Sequence, residues 1–396
     1  MGGGGRLRAG RCRAAGHQRW YRAFHHGYPA EHQNGIRAHA RAGRREPLPR
    51  PRLVSERLVA CTMGDPAGIG PEMLLRAAAD LGDAHASTPT GCLFLGDAAV
   101  FAAYAGVVAD VDPPVLVSSA MEARDAIRRG HRGPFLLECA RVPNGFTPGR
   151  PRTEDGGAAL ASVMIGAEMA ANREVDALVT APLSKHEVAR HAPGFKGHTE
   201  FLATLDGGAN PTMVFAAPRN SKTHTPDIAL LTTHLPLATA LSLIRADIVA
   251  EALTRLAADW ASCFGRAPSL GLAALNPHAG ERGQIGSEEA RVLSPAVRQA
   301  AAAGANVSGP YPADSIFQRA DLDVILALYH DQGTIMAKRA PWPTVNLTLG
   351  LSYVRTSPDH GTAYELAGTG RADHGATLAA MQLAVQLAGN VASDVA

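Results

Sequence analysis

The stretch "RLVACTMGDPAGIGPEMLLRAAADL", Arg57 to Leu81, decides the fold. Its first seven residues are a short, largely apolar run with the length and composition of a buried strand. A Gly- and Pro-rich turn follows, and "PEMLLRAAADL" then spaces its apolar residues as an amphipathic helix does, with Pro71 suited to a first helical position. The event repeats: "CLFLG" leads into "DAAVFAAYAG", and "DALVTA" into "SKHEVARH". Short buried strands alternating with such helices are the pattern of βαβ units, so the class is α/β with a mostly parallel sheet covered by helices. No repeat of solenoid period is present. The turn "GDPAGIGPE" (Gly64 to Glu72) admits two readings: glycines that let a ligand approach a helix N-terminus, or a tight strand-to-helix turn. The GxGxxG dinucleotide fingerprint does not follow this first strand.

The 396 residues can bury a large core and suffice for two domains. A net charge of +2 hides an asymmetry: residues 1–52 hold twelve of the 38 Lys and Arg but only two acids, Glu31 and Glu46, which leaves 26 basic against 34 acidic residues beyond them. An acidic body argues against a nucleic-acid partner. The five cysteines (Cys12, Cys61, Cys92, Cys139, Cys263) form no CxxC pair; they indicate neither a disulfide framework nor a thiolate zinc site and fit a reducing cytoplasm. No run approaches the roughly 20 apolar residues that span a bilayer, and the N-terminus lacks the apolar core of a signal peptide, so a soluble protein without a membrane partner is expected. Residues 1–55 show neither helical nor strand periodicity and read as a disordered Arg- and Gly-rich extension. A mitochondrial presequence would usually be Ser-rich, whereas the first serine here is Ser55; a translation start nearer "RLVACTMGD" is a third reading.

Three apolar runs end in histidine: "DIALLTTH" at His234, "LGLAALNPH" at His278 and "DVILALYH" at His330. In open α/β sheets ligands sit outside the carboxyl ends of strands, so three imidazoles placed there can converge as a divalent-metal site with a position open to water or substrate. One such histidine alone is more often a hydrogen-bonded turn residue. Here each has polar company, Asn276, Glu281 and Arg282 beside His278, and Asp331 and Gln332 beside His330. A second group suits an anion. "GHTEFLATL" opens a helix with His198 just before it and Thr199 in reach of the N-cap, and further on come Lys338, Asn346 and Arg355, residues fitted to a phosphorylated carboxylic acid. Plain capping and surface charge are the structural alternatives.

Taken in order, "GDPAGIGPE", "TAPLSK", "GHTEFLA", "TTHLPL", "LNPHAGERGQIGSEE", "GPYPADSIF", "YHDQG" and "VNLTLGLSYVRTSPDHGTA" resemble the 4-hydroxythreonine-4-phosphate dehydrogenase family of vitamin B6 biosynthesis, from about Leu58 to the C-terminus. The resemblance implies two α/β/α domains similar to those of isocitrate and isopropylmalate dehydrogenases, residues 56–190 with 356–396 and residues 191–355, with a cleft between them and a homodimer whose active site lies near the interface. It implies NAD or NADP bound without the usual fingerprint, a divalent metal (Zn, or Co, Mn or Mg) on His234, His278 and His330, and substrate contacts from His198, Thr199, Lys338, Asn346 and Arg355. Lys338 and Asp314 are the implied catalytic residues, Lys338 either anchoring phosphate or exchanging a proton; the nicotinamide contacts are not identified. The implied reaction oxidises 4-phosphooxy-L-threonine to a 3-oxo acid that loses CO2. Threonate or erythronate 4-phosphate, a cis-dihydrodiol carboxylate, or a noncatalytic metal- or nucleotide-binding role are the alternatives. The sequence departs from the family pattern at "PRNSKTHTPD" (218–227), an apparent insertion, at "KRAPWPTVN" (338–346), and at "LSYVRTSPDHG" in place of "LPFIRTSVDHG".

Because residues 1–55 offer no periodic apolar face to a core, a chain lacking them is expected to keep its folding and activity. Gel filtration and turnover of the truncated protein check this, and loss of soluble protein contradicts it.

Overall fold

In the computed structural model, which describes residues 56–81, 88–108, 111–217, 224–340 and 343–391, the apolar runs become the strands of one twelve-stranded sheet. The expected extension 1–55 lies outside the described residues, as do 218–223 of the apparent insertion and Pro341 and Trp342. In chain order the strands are β1 (Arg57–Thr62), β2 (Thr90–Gly96), β3 (Val115–Val117), β4 (Phe135–Glu138), β5 (Ala177–Thr180) and β6 (Thr212–Ala216). They continue with β7 (Asp227–Leu230), β8 (Leu270–Ala273), β9 (Val307–Tyr311), β10 (Val324–Ala327), β11 (Val345–Leu349) and β12 (Val354–Pro358). Seven helices position the site: α1 (Gly70–Leu81), α2 (Thr153–Ala171), α3 (Lys185–Ala189), α4 (His198–Leu205), α5 (Ala246–Phe264), α6 (His330–Lys338) and α7 (Gly375–Val391).

The sheet runs in the order β3-β4-β2-β1-β5-β12-β11-β6-β7-β10-β8-β9. Its first six strands are mutually parallel, and so are its last four. Three antiparallel steps join these blocks, β12 to β11, β11 to β6 and β6 to β7, so the second block runs opposite to the first. The α/β class and the mostly parallel sheet agree with the alternation in the sequence. The described residues belong to a single compact unit.

Both faces of the sheet are covered, which is why Leu58 to Cys61 of β1 are all apolar instead of alternating. Val59 and Cys61 pack in one layer with Leu74 and Leu75 of α1 and Met381 and Leu387 of α7. Leu58 and Ala60 point the other way, toward Val163 and Ala167 of α2. In the second block Trp260 of α5 is fully buried and donates from Nε1 to Asp227 Oδ2 at 3.1 Å, which satisfies the one polar atom of its ring.

The turn after β1 is occupied by protein. Asp65 is buried, its Oδ1 accepting the Ala67 N–H (2.9 Å) and its Oδ2 the Tyr364 hydroxyl (2.6 Å). Gly64 has φ +72°, and a Cβ there would stand 2.4 Å from the Pro182 carbonyl oxygen; one on Gly68 would stand 3.0 Å from that of Thr362. Both glycines therefore admit neighbouring backbone, and the tight-turn reading describes this segment. Burial pushes the carboxyls of Asp65 and Glu72 above the usual range, and Glu72 Oε2 accepts the Gly368 N–H at 3.2 Å.

Gly64→Ala combines a left-handed backbone with a contact that only backbone movement can relieve, so a loss of roughly 2 kcal/mol or more is expected in urea unfolding. A change within about 0.5 kcal/mol, the range of an ordinary surface substitution, contradicts the packing account.

Candidate functional site

The strands β7, β10 and β8 are adjacent and parallel, and each is followed by one of the three histidines. The strands are shorter than the apolar runs suggest. His234 lies four residues beyond β7, His278 five beyond β8, and His330 three beyond β10 as the first residue of α6. Side chains take over the backbone groups there. The Thr232 hydroxyl donates to the Leu328 carbonyl (2.9 Å), the Leu328 N–H donates to Gln332 Oε1 (2.7 Å), and Gln332 Nε2 donates to the Ala274 carbonyl (2.8 Å). Gln332 thus ties the ends of β10 and β8 together.

The rings of His234 and His330 lie 5.5 Å apart. His330 Nδ1 is 2.7 Å from Asp331 Oδ1; with Nδ1–H donating, Nε2 is left as the lone-pair nitrogen, the arrangement that orients a metal-ligating imidazole. Partial burial, then the charges of Lys185 and of a protonated His330, push the His234 pKa down, against a weaker opposing pull from Glu200. A neutral imidazole is the form that binds a metal. His278 is exposed and opens a run of five residues, His278 to Arg282, with φ between 42° and 76°. The base of this loop is clamped by Glu289, whose Oε1 accepts the N–H groups of Leu275 (2.9 Å) and Asn276 (2.7 Å) and whose Oε2 accepts Asn276 Nδ2 (2.9 Å). The structure brings His234 and His330 together without adding His278 as a third ligand: among the described residues no group of three or more His, Cys, Asp or Glu is placed to hold a metal ion. Asp314 lies in the exposed turn after β9, the outermost strand.

The anion-binding candidates sit around the junction of the two blocks. Arg355, on β12, is 3% exposed, and among the described residues its guanidinium donates only to hydroxyls: Nε and Nη2 to Thr180 Oγ1 (3.2 and 2.5 Å) and Nη1 to Thr348 Oγ1 (2.9 Å). Burial pushes its pKa down to about 10, so it stays charged at neutral pH. His198 and Thr199 are the first two residues of α4, and Gly197 is its N-cap with no side-chain hydrogen bond; Thr199 therefore does not cap the helix as its spacing suggested, because the extended Gly197 already occupies that position. His198 Nε2 is enclosed with no hydrogen-bond partner among the described residues. Burial, reinforced by Arg355 and Lys185, holds this imidazole far below its ordinary pKa, hence neutral.

Lys338, the last residue of α6, donates from Nζ to Asp359 Oδ2 at 2.7 Å. The same carboxylate accepts from Thr344 Oγ1 and Asn346 Nδ2, both at 3.3 Å, while Asn346 Oδ1 is buried without a partner among the described residues. Asp359 and Lys185 are the residues that sequence reasoning missed. Both lie in quoted motifs, "SPDHG" and "TAPLSK", and Lys185 is one of only four lysines in the chain, which was the available signal.

Asp359→Ala would strand three donors at once, and a loss of roughly 1–3 kcal/mol is expected, with Asp359→Asn retaining part of it. Thermal and urea unfolding of both variants check this; equal stability of Asp359→Ala and the parent chain contradicts the shared-acceptor role.

Comparison with known proteins adds a third line of evidence. Residues 89–384 match the family described as pyridoxal phosphate biosynthetic protein PdxA. A 4-hydroxythreonine-4-phosphate dehydrogenase from Janthinobacterium sp. (strain Marseille) is 40% identical over 343 residues, covering 83% of this chain and 96% of that protein. A relative from Symbiobacterium thermophilum, named provisionally as a D-threonate 4-phosphate dehydrogenase, is 39% identical over 323 residues, 80% of this chain and 92% of that one. The 1.25 Å crystal structure of 4-hydroxythreonine-4-phosphate dehydrogenase from Klebsiella pneumoniae superposes with a TM-score of 0.71 at 29% identity, covering 84% of this chain and 99% of that one.

Proposed function

The chain belongs to the pyridoxal phosphate biosynthetic PdxA family, and from that premise we propose that it is an NAD(P)-dependent dehydrogenase that oxidises 4-phosphooxy-L-threonine at C3 to a 3-oxo acid, which loses CO2 to give 3-amino-2-oxopropyl phosphate. The observation that carries this reading is the buried Arg355, held among the described residues by hydroxyls and close enough to add its charge to the burial that keeps His198 neutral, with Lys185 acting on both His198 and His234. Such a guanidinium suits the anionic end of a phosphorylated acid.

His234 and His330 offer a divalent metal two adjacent imidazoles. His234 is held neutral, His330 presents Nε2, and His278 follows the strand beside that of His330, so we assign these three as the ligands, with Zn²⁺ suiting imidazoles better than Co²⁺, Mn²⁺ or Mg²⁺. Such an ion would supply Lewis-acid polarisation of a substrate oxygen when bound, and the nicotinamide would supply the hydride acceptor. The protein's own groups bind and orient. Arg355, His198, Thr199 and the uncapped N-terminus of α4 take the phosphate, and Asn346 offers its unpartnered Oδ1 to a substrate donor. Lys338, steadied by Asp359, exchanges the C3 hydroxyl proton, and we keep Asp314 with it as the second catalytic residue. Decarboxylation leaves an electron pair on carbon that takes up one proton, which in this reading Lys338 returns.

D-threonate 4-phosphate is the second reading, favoured by the Symbiobacterium relative. It keeps the phosphate and exchanges the C2 amine for a hydroxyl. We read residues 56–190 with 356–396 and residues 191–355 as two lobes with the cleft between them. A homodimer is supported by exposed apolar side chains beside the histidines: Leu235, Leu237 and Leu241 after His234, Ile285 after His278, and Ile335 and Met336 after His330. A cytoplasmic location completes the proposal; no helix among the described residues is long and apolar enough to cross a membrane.

Product analysis with 4-phosphooxy-L-threonine and NAD⁺ or NADP⁺, including CO2 release, is expected to show stoichiometric 3-amino-2-oxopropyl phosphate, whereas turnover of D-threonate 4-phosphate alone favours the second reading. Chelation is expected to abolish turnover with little change in far-UV circular dichroism, since a core of this size stands without the ion. His330→Ala should lose metal and recover part of its activity in excess metal, while Lys338→Ala should keep its metal and lose kcat/KM by on the order of 100- to 10,000-fold. Normal metal content and affinity in His330→Ala contradict the ligand assignment.

A further inference from the structure

We propose that Lys185 is a further substrate-binding residue: its ammonium, the N-terminal turn of α4 and the Arg355 guanidinium form one anion subsite that takes the phosphate of the substrate. The inference rests on the dehydrogenase reading and adds to it a residue that lies outside the three histidines and the anion-binding residues named from the sequence.

Lys185 is positioned by a buried frame. β5 is buried along its whole length, the chain leaves it through Ala181 to Leu183, and Ser184 caps α3 by accepting the Glu187 N–H at 3.3 Å, which makes Lys185 the first helical residue. Its side chain reaches across to α4. A Cβ built on Gly197 would stand 3.8 Å from Lys185 Nζ and 3.7 Å from its Cε, with Glu200 Oε2 at 3.3 Å from the same point. The ammonium therefore sits at the mouth of the α4 N-terminus, where no side chain caps the helix.

That placement is unfavourable without an anion. The first turn of a helix carries partial positive charge, and lysine is suited to the opposite end. The carboxylate nearest in sequence is engaged elsewhere: Glu187 accepts from Thr153 Oγ1 at 3.2 Å and pairs with Arg190 at 3.7 Å. Glu200 stands close by, its single charge set against Lys185, Arg355 and the helix terminus together. His198 Nε2 is enclosed at this same terminus without a partner among the described residues. Lys185 acts electrostatically on both His198 and His234, so the subsite adjoins the imidazole pair. A phosphate oxygen there meets an ammonium, backbone N–H groups and a guanidinium, while the rest of the substrate extends toward His234.

The test uses the full chain with its metal and two variants, Lys185→Ala and Lys185→Arg, read by steady-state kinetics with 4-phosphooxy-L-threonine and by calorimetric titration with inorganic phosphate. Lys185→Ala is expected to raise KM and the phosphate Kd together, each by about tenfold or more, with kcat changed by less than about threefold and metal content unchanged. Lys185→Arg should recover most of both. Unchanged KM and phosphate Kd in Lys185→Ala overturn the proposal, as does a fall in Tm with both constants intact, which marks a structural role. Absence of phosphate binding by the parent chain also overturns it. If the parent chain leaves 4-phosphooxy-L-threonine unchanged yet binds phosphate in a Lys185-dependent way, the subsite stands and the substrate reading falls.

Discussion

The structure depends on one buried charge at the seam of its sheet. Arg355 lies on β12, the last strand of the first parallel block, with Thr180 of β5 on one side and Thr348 of β11, the first antiparallel neighbour, on the other. A guanidinium withdrawn from water needs compensation, and hydroxyl oxygens give less of it than a carboxylate would. An apolar residue would hold this seam with less strain on solvation. The seam is therefore built around an unmet demand for negative charge, and the groups close to it are arranged accordingly: a neutral His198, an uncapped helix terminus and a lysine beside it.

The second block solves a different problem with the same means. The ends of β7, β10 and β8 must bring histidines forward without unravelling, and side chains such as Thr232, Gln332 and Glu289 replace the lost ladder partners. Five successive residues in the left-handed region after Pro277, four of them not glycine, are costly backbone that the Glu289 clamp keeps in place. Stability is spent there on shape, where the chain must turn back on itself to carry His278.

Much of this was legible in the sequence because it is local. An apolar run of seven residues followed by a helical pattern names a strand and a helix wherever it falls, and β1 with α1, β2 and β5 could be read that way. The direction of each strand is not local. That β11 pairs antiparallel with β6 depends on a meeting across more than a hundred residues, and no periodicity records it. The site divides in the same manner. His234, His278 and His330 announce themselves by ending apolar runs, yet their runs overstate the strands by three to five residues, since a buried coil segment and a buried strand are equally apolar. Lys185 and Asp359 carried no such mark: one opens a five-residue helix and the other lies just past β12, and only the folded chain sets each against its partners.

What the folded chain adds is a sorting of charge by burial. Lysine and arginine have pKa values far enough above neutrality that even Arg355, pushed down to about 10, remains a cation. Histidine does not have that margin, so the same burial, with those cations nearby, strips the proton from His198 and His234. Burial first, and then the cations that stay charged nearby, favour neutral imidazoles, and a neutral imidazole can offer a lone pair where an imidazolium cannot. The cations near the seam and the two imidazoles are in this sense linked: the positive charge gathered beside α4 adds to the burial that favours the neutral forms of His198 and His234.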